Sequence, residues 1–242
     1  MPAEVRVFAD ADELGERLAD EILDAYDGEP DRRFLLGCPG GRSLRTTYRA
    51  LARRRRALDR LVVVMMDEYV VDGAAAPADA HYSCRRFARE ELARPLGLGD
   101  DQVWLPDPAD PAAYDERIAA AGGIDVFLLA SGASDGHVAF VPPGSPRDGR
   151  TAVVALAETT RRDNLATFPQ FSSVEEVPRH GVSVGLGTVA DARRVRLVLH
   201  GPDKRNAAAR VLALDRFDPS WPASIVHECG DGEIWLDREA HP

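Results

Sequence analysis

Cysteine is scarce in this 242-residue chain, and its spacing argues against several kinds of protein. The three cysteines, Cys38, Cys84 and Cys229, are odd in number and lie far apart. A disulfide framework needs an even set, and a zinc site needs closely spaced pairs. We therefore expect reduced thiols, no metal site and a cytoplasmic protein.

Positive charge is also in short supply. The formal net charge is −10 at pH 7, and the pI is about 5.1. Proteins that bind a phosphate backbone carry a basic stripe. The single basic run, residues 53–56, follows a predicted helix, where cations oppose the negative end of the helix dipole. We expect no nucleic-acid partner and no helix-turn-helix segment before Val5.

Long apolar runs are missing as well. No stretch of the sequence is long enough to span a bilayer. The first residues lack the charged-then-apolar form of a signal peptide. We therefore expect no membrane partner.

Lysine is nearly absent, since Lys204 is the only lysine among 30 basic residues. A compact ammonium differs from a guanidinium in how it binds phosphate. Two interpretations remain open: chance retention, or a need for an ammonium group at this position.

The chain does contain apolar runs that alternate with amphipathic helical segments, which favours an α/β fold. We predict a doubly wound, mostly parallel Rossmann-like sheet with helices on both faces, in one domain over residues 1–242. Strands are predicted at residues 5–8, 34–38, 61–66, 103–105, 124–129, 151–156, 182–185, 195–199 and 233–236.

Helix boundaries follow from capping residues and glycines. Asp10 or Asp12 is expected to cap the first helix, His81 to open a helix that runs to about residue 92, and Asp203 to cap a late one. Between residues 142 and 178 the regular pattern weakens, and residues 159–173 are predicted to be irregular. Such a segment is either a lid over a site, at about residues 156–178, or a loosely packed excursion.

Three predicted strands end in side chains that suit chemistry, at the edge where open α/β sheets bind ligands. After residues 124–129 come Asp135 and His137, which form either an acid–imidazole pair or a helix cap beside a surface histidine. After residues 61–66 come Asp67 and Glu68. A partly buried carboxylate there is a candidate general base, although Asp67 could instead cap a turn.

The third strand end is rich in glycine. Residues 34–38 lead into Gly40, Gly41, Arg42 and Ser43, which we call the cradle together with Pro39. Glycines let backbone N–H groups approach a phosphate, and serine adds a hydroxyl. The alternative is an ordinary tight turn. Lys204 follows residues 195–199 and would suit the same phosphate.

These motifs together resemble the glucosamine-6-phosphate deaminase/6-phosphogluconolactonase family over nearly the whole chain. The segments that carry the resemblance are residues 36–43, Met66-Asp67-Glu68-Tyr69, Asp135-Gly136-His137-Val138-Ala139-Phe140, Thr160-Arg161, residues 184–188 and Lys204. Tyr69 favours the deaminase branch, because the lactonases usually have arginine at this position.

The resemblance implies roles for these residues. The cradle and Lys204 would hold a sugar phosphate, with Glu68 and Arg161 also among the substrate-binding residues. Asp67 would move a proton between C2 and C1 of the open-chain sugar. His137, oriented by Asp135, would help to open the sugar ring.

The sequence departs from the family pattern at three places. Pro142 stands where the deaminases usually carry a glutamate that assists ring opening. Ala166 stands where they carry a lid arginine that binds phosphate, and Arg161, Arg162 or Arg42 could serve instead. No basic residue is kept near residues 152–154, where the allosteric pocket of the deaminases lies. We hypothesise that Arg42 supplies the missing guanidinium, and we expect no activation by an amino-sugar phosphate.

The resemblance and the residues together predict isomerisation of a phosphorylated amino sugar with loss of ammonia. No metal or organic cofactor is expected, because Asp67 and His137 suffice for proton transfer. Two alternatives are a 6-phosphogluconolactonase-like hydrolase, in which His137 activates water, and a non-catalytic sugar-phosphate sensor. Tyr69, Ala139 and Phe140 argue against the hydrolase. A homo-oligomer is compatible with the resemblance.

Overall fold

The computed structural model describes residues 2–242, so Met1 of the predicted domain lies outside the described residues. The strands are β1 (Glu4–Phe8), β2 (Phe34–Cys38), β3 (Leu61–Met65), β4 (Asp67–Val71), β5 (Ala74–Ala75), β6 (Val103–Trp104), β7 (Val126–Ala130), β8 (Ala152–Ala155), β9 (His180–Ser183), β10 (Arg194–Leu199) and β11 (Gly232–Asp237). The helices are α1 (Ala11–Asp27), α2 (Arg45–Arg53), α3 (Cys84–Phe87), α4 (Arg94–Leu96), α5 (Ala112–Ala120), α6 (Glu158–Thr167), α7 (Leu186–Ala190) and α8 (Arg205–Leu212).

Seven strands form one sheet in the order β1-β11-β10-β7-β2-β3-β6, and every pair in it is parallel. Alternate side chains of each strand point to opposite faces. Leu36 packs on one face with the core of α1 and α2, and Leu35 packs on the other with the core of α5 and α8. The predicted doubly wound sheet with helices on both faces is confirmed.

The local sequence determines where helix α1 begins and which of its faces is buried. The Asp10 carboxylate accepts hydrogen bonds from the backbone N–H groups of Asp12 and Glu13, which identifies Asp10 as the cap. Leu14, Leu18 and Ile22 then recur at helical spacing and are buried. These contacts fix α1 against the sheet.

A second sheet, which the sequence does not reveal, lies beside the first. Its strands are antiparallel in the order β5-β4-β9-β8. The chain leaves β3 and enters β4 after a single residue, Met66, whose backbone bonds to both Cys38 and Val184. Asp67 therefore begins a strand that pairs with Ser183 of β9. Pairing between such distant residues leaves no local pattern to detect.

Two predicted boundaries are wrong. The late helix α8 begins at Arg205 and not at Lys204, because residues 202–204 form a tighter 3₁₀ turn, and the Asp203 side chain makes no capping bond. The helix expected to open at His81 begins at Cys84, where the Ser83 hydroxyl accepts a hydrogen bond from the backbone N–H of Arg86. It continues through a wider π-helical stretch over Ala88–Ala93.

The candidate lid contains a helix where irregular structure was expected. Glu158–Thr167 form α6, although only Thr160 of this helix is fully buried. The segment lacks an apolar stripe because one of its faces borders a cavity rather than the core. In the described part of the chain no helix is both long and apolar enough to cross a bilayer.

Candidate active site

A cavity of about 580 Å³ opens at the carboxyl ends of β3, β2, β7 and β10, which are neighbours in the sheet. This edge is where open α/β sheets bind ligands. The side chains and loops that follow these four strands therefore meet in one place. Those predicted from the sequence that line the cavity are Gly40, Gly41, Arg42, Ser43, Asp67, His137 and Lys204.

Asp67 lies on the cavity wall with only 6% of its surface exposed. Burial raises its pKa to about 7. The nearby Glu68 carboxylate contributes to this rise, and a hydrogen bond from Cys84 and the charge of His137 oppose it. A carboxyl group with this pKa can gain and lose a proton near neutral pH, as a general base must.

His137 is held by a carboxylate. Its Nδ1 lies 2.7 Å from Oδ1 of Asp135 and 3.2 Å from Oγ1 of Thr160. Since a carboxylate only accepts, Nδ1 carries the proton, and Nε2 is left as the basic nitrogen. Burial would raise the pKa of Asp135, but the hydrogen bonds and charge of His137, helped by Thr159, hold it below its usual range.

The backbone packs tightly against the side chains of Asp135 and His137. A Cβ atom at Gly132 would clash with Nδ1 of His137 and with Oδ1 of Asp135. The Gly132 N–H donates to the His137 carbonyl at 2.8 Å, which closes the loop on itself. A glycine at this position is therefore part of what orients the imidazole.

The cradle is fixed from two sides. The Tyr48 hydroxyl of α2 donates to the Pro39 carbonyl at 2.9 Å, and Nε2 of His200 lies 2.9 Å from the Ser43 carbonyl. Gly41 has a φ of 87°, a conformation that favours glycine. Because the loop is braced, its N–H groups and hydroxyl are presented to the cavity without large rearrangement.

Two cations accompany the cradle. The Nζ of Lys204 donates to the Ser131 carbonyl at 2.6 Å, and burial lowers the pKa of this lysine. The charge of Asp163 opposes that effect, and the charge of Arg42 adds to it. Arg42 lines the cavity, and its guanidinium makes no hydrogen bond to the described residues. This end of the cavity thus has the donors that bind a phosphate.

The lid helix presents a polar face to the cavity. Its wall includes the lid residues Thr160, Asp163, Asn164, Ala166 and Thr167. The Asn164 amide nitrogen is buried and has no partner among the described residues. No cation of α6 lines the cavity, so Arg161 and Arg162, the predicted substitutes for a lid arginine at residue 166, both lie outside its wall.

Two predicted substrate-binding residues lie elsewhere. Glu68 is 1% exposed and accepts four hydrogen bonds from Tyr69, Ser83, Cys84 and Arg85. Arg161 of the lid donates to the backbone carbonyls of Val174 and Val177, and so ties the lid to itself. Neither side chain lines the cavity. Asp135 also stands outside the cavity wall, behind His137.

Sequence reasoning missed several residues of the wall, notably Cys84, Asp163, Asn164 and His200. Their positions depend on how distant loops fold back over the strand ends. His200 could have been predicted from the sequence, because it directly follows the end of strand β10. Among the described residues no group of three or more His, Cys, Asp or Glu side chains could hold a metal ion.

Known proteins are similar to this chain over most of its length. A glucosamine-6-phosphate deaminase of Rhodococcus jostii is 40% identical over 85% of this chain and 80% of its own length. One of Shouchella clausii is 30% identical over 95% of this chain and 92% of its own length. A solved structure described as a monomeric glucosamine-6-phosphate deaminase superposes with a TM-score of 0.88 and 26% identity over 98% of both chains.

The family comparison covers almost the whole chain. Residues 9–235 match the family described as glucosamine-6-phosphate isomerases/6-phosphogluconolactonase. That span includes the cradle, Asp67, the Asp135–His137 pair and Lys204. The chain belongs to the glucosamine-6-phosphate isomerase/6-phosphogluconolactonase family.

Proposed function

We propose that this protein converts glucosamine 6-phosphate and water into fructose 6-phosphate and ammonia. One observation carries the proposal: a single cavity holds a buried base, an oriented imidazole and a phosphate-binding end. The deaminase names of the relatives support the same reaction.

The phosphate binds at the cradle. N–H groups of Gly40 and Gly41 and the Ser43 hydroxyl donate to its oxygens, and Lys204 and Arg42 balance its charge. Arg42 takes the role of the lid guanidinium that Ala166 cannot supply. The sugar then extends from the cradle toward Asp67 and His137.

Ring opening falls to His137. The unprotonated Nε2 takes the proton of the C1 hydroxyl and passes it to the ring oxygen, which breaks the ring bond and frees the aldehyde. Asp135 stabilises the imidazolium that forms on the way. Pro142 lies outside the cavity wall, so no side chain at that position takes part in this scheme.

Isomerisation falls to Asp67. Its carboxylate removes the proton from C2 as the C1 oxygen takes up a proton, which gives an enol-type intermediate. The carboxyl group then returns its proton to C1 as the nitrogen on C2 loses one. The nitrogen on C2 is then part of an imine, which water hydrolyses to a ketone with release of ammonia. The scheme needs no metal or organic cofactor, because every step is a proton transfer or an addition of water.

The experiment is an ammonia-release assay of the purified protein with glucosamine 6-phosphate and, in parallel, galactosamine 6-phosphate. We expect ammonia from the first sugar and a loss of about 10²–10⁴-fold in kcat for Asp67→Asn. Absence of ammonia from both sugars would refute the proposal. Hydrolysis of 6-phosphogluconolactone by the same preparation would then identify a lactonase, and binding without turnover would identify a sensor.

We also infer the setting in which the enzyme works. The three cysteines are free in the structure, which is compatible with the cytoplasm. A net charge of −10 disfavours nucleic acid as a partner. The homo-oligomer stays a prediction that a mass measurement in solution would test.

A further inference from the structure

Cys84 touches the group to which we assign the proton transfer. Its Sγ lies 3.2 Å from Oδ1 of Asp67, and it lines the same cavity. Cys84 is 6% exposed. Among the described residues this is the only hydrogen bond to the Asp67 side chain, so Oδ2 stays free to face a ligand.

The thiol is held in place by the neighbouring carboxylate. Oε1 of Glu68 accepts from the Cys84 N–H at 3.0 Å. Oε2 accepts from the Ser83 hydroxyl at 3.0 Å and from the Arg85 N–H at 2.9 Å. Glu68 therefore anchors the first turn of α3. These hydrogen bonds fix the backbone from which the Cys84 side chain extends.

The hydrogen bond has a defined direction. Burial and the charges of Asp67 and Glu68 raise the pKa of the Cys84 thiol well above its usual value, so the sulfur keeps its proton. An ionised carboxylate has no proton to donate. The S–H group therefore donates to Oδ1 of Asp67.

We propose that Cys84 is a positioning residue that donates its S–H to Oδ1 of Asp67, stabilises the ionised carboxylate and reserves Oδ2 for the proton of the substrate. This inference rests on the proposed function. A donor to the charged form of an acid favours that form. Cys84 thus offsets part of the cost of burying a carboxylate.

Other ionisable groups act on Asp67 from the surrounding elements, and they stay unchanged when only Cys84 is replaced. Glu68 of β4 and His137 after β7 act on the pKa of Asp67. The charge of Asp67 in turn raises the pKa values of Tyr48 of α2, Tyr69 of β4 and Tyr114 of α5. A shift in the titration of Asp67 on replacing Cys84 therefore reports the loss of the thiol contact.

The test compares Cys84→Ala and Cys84→Ser, with Cys229→Ala as the matched control for a cysteine outside the cavity. We expect the acid limb of kcat/KM for Cys84→Ala to move to higher pH, with a loss of about three- to ten-fold at pH 6 and less than about two-fold at pH 8.5. Cys84→Ser keeps a donor and should retain the wild-type limb or move it to lower pH.

A second readout needs no substrate. The Asp67 carboxyl carbon, labelled with ¹³C and identified by its absence in Asp67→Asn, is titrated by NMR in wild type and in both Cys84 variants. We expect a higher titration midpoint for Cys84→Ala, and a midpoint for Cys84→Ser at or below that of wild type.

Equal midpoints in wild type and Cys84→Ala would overturn the inference. If Cys84→Ala fails to fold, the serine variant decides, and a midpoint above that of wild type would overturn it. If wild type releases no ammonia while Cys84→Ala still raises the midpoint, the proposed function fails and the effect of the thiol on Asp67 stands.

Discussion

Two aspartates near the cavity have opposite protonation behaviour because their surroundings differ. Asp67 is buried beside another carboxylate, and its pKa rises to about 7. Asp135 is also desolvated, but hydrogen bonds from His137 and Thr159 hold its pKa below the usual range. This separation of the two pKa values supports the proposed roles of Asp67 as the proton carrier and Asp135 as a fixed charge.

The buried charge of Asp67 has a cost in stability that depends on pH. With an ordinary pKa of 3.8 in the unfolded chain and about 7 in the folded protein, the folded state keeps the proton that the unfolded state releases between these values. The free energy of unfolding of wild type should therefore fall by up to about 4 kcal/mol as pH rises from 4 to 7.

Asp67→Asn, which cannot titrate, should escape this loss. We expect the variant to be more stable than wild type at pH 8, with the gap closing toward pH 4, in urea unfolding at several pH values. Asp135→Asn is the matched control with the opposite sign, because its folded pKa is lowered, and it should be less stable than wild type at pH 8. If the difference in the free energy of unfolding between Asp67→Asn and wild type does not change with pH, this prediction is contradicted.

Gly132 offers a steric test of the imidazole orientation. Gly132→Ala places a methyl group against His137 and Asp135, and we expect kcat/KM for ammonia release to fall by about 10²-fold. Gly230→Ala is the control, because no atom lies within 4 Å of the Cβ that it would add. Unchanged kinetics in Gly132→Ala would contradict the prediction, because the reaction would then not depend on the exact position of Asp135 and His137.

Among the secondary-structure elements, the cations that could bind a phosphate are distributed between the cradle and the lid differently from the family pattern. The cavity face of α6 carries Asp163 and Asn164 and no cation, whereas the cradle carries Arg42. The positive charge for a phosphate is therefore concentrated on the loop after β2 and on Lys204. A lid of this kind contributes hydroxyl and amide groups to the cavity.

Removal of the cradle guanidinium should weaken substrate binding. We expect Arg42→Ala to raise KM for the sugar phosphate about tenfold with a smaller change in kcat, because a charge-assisted contact to a non-reacting group is lost. Arg49→Ala serves as the control, because Arg49 is an exposed residue of α2 whose side chain makes no hydrogen bond to the described residues. Equal KM values in Arg42→Ala and wild type would refute the role of Arg42.

The sequence predicts elements well where the signal is local. Apolar runs reveal β2, β3, β7 and β10, and the rule that parallel strands end at one edge brings Asp67, His137 and Lys204 to one cavity. The second sheet, the Cys84 contact and the helical lid depend on pairings between distant segments. Glu68 was expected in the site because it adjoins Asp67, but neighbours along a strand point to opposite sides.

At the scale of the whole molecule, the region near residues 152–154 bears on regulation. Strand β8 ends the second sheet, and the exposed side chains of Ala152, Val153 and Ala155 are apolar. The neighbouring Arg150 is paired with Asp191 at 2.5 Å. Among the described residues, strand β8 itself carries no basic side chain that could bind a phosphorylated effector.

We therefore expect unregulated kinetics. The rate of ammonia release should depend hyperbolically on substrate concentration, and N-acetylglucosamine 6-phosphate should leave the curve unchanged, because β8 carries no basic side chain to bind its phosphate. Initial rates with and without this compound provide the measurement. A sigmoidal curve that it makes hyperbolic would contradict the expectation.

The antiparallel pairing of β8 with β9 has a consequence for how such enzymes diversify. Ala155 pairs with His180, and the Leu156 N–H donates to the Arg179 carbonyl, so the lid leaves and re-enters the molecule at adjacent points. A segment whose two ends are anchored side by side can be replaced as a unit without moving the strands that hold it. Its replacement alters which groups line the cavity and also removes the contacts of Thr159 and Thr160 with Asp135 and His137, so a grafted loop has to keep these two hydroxyls.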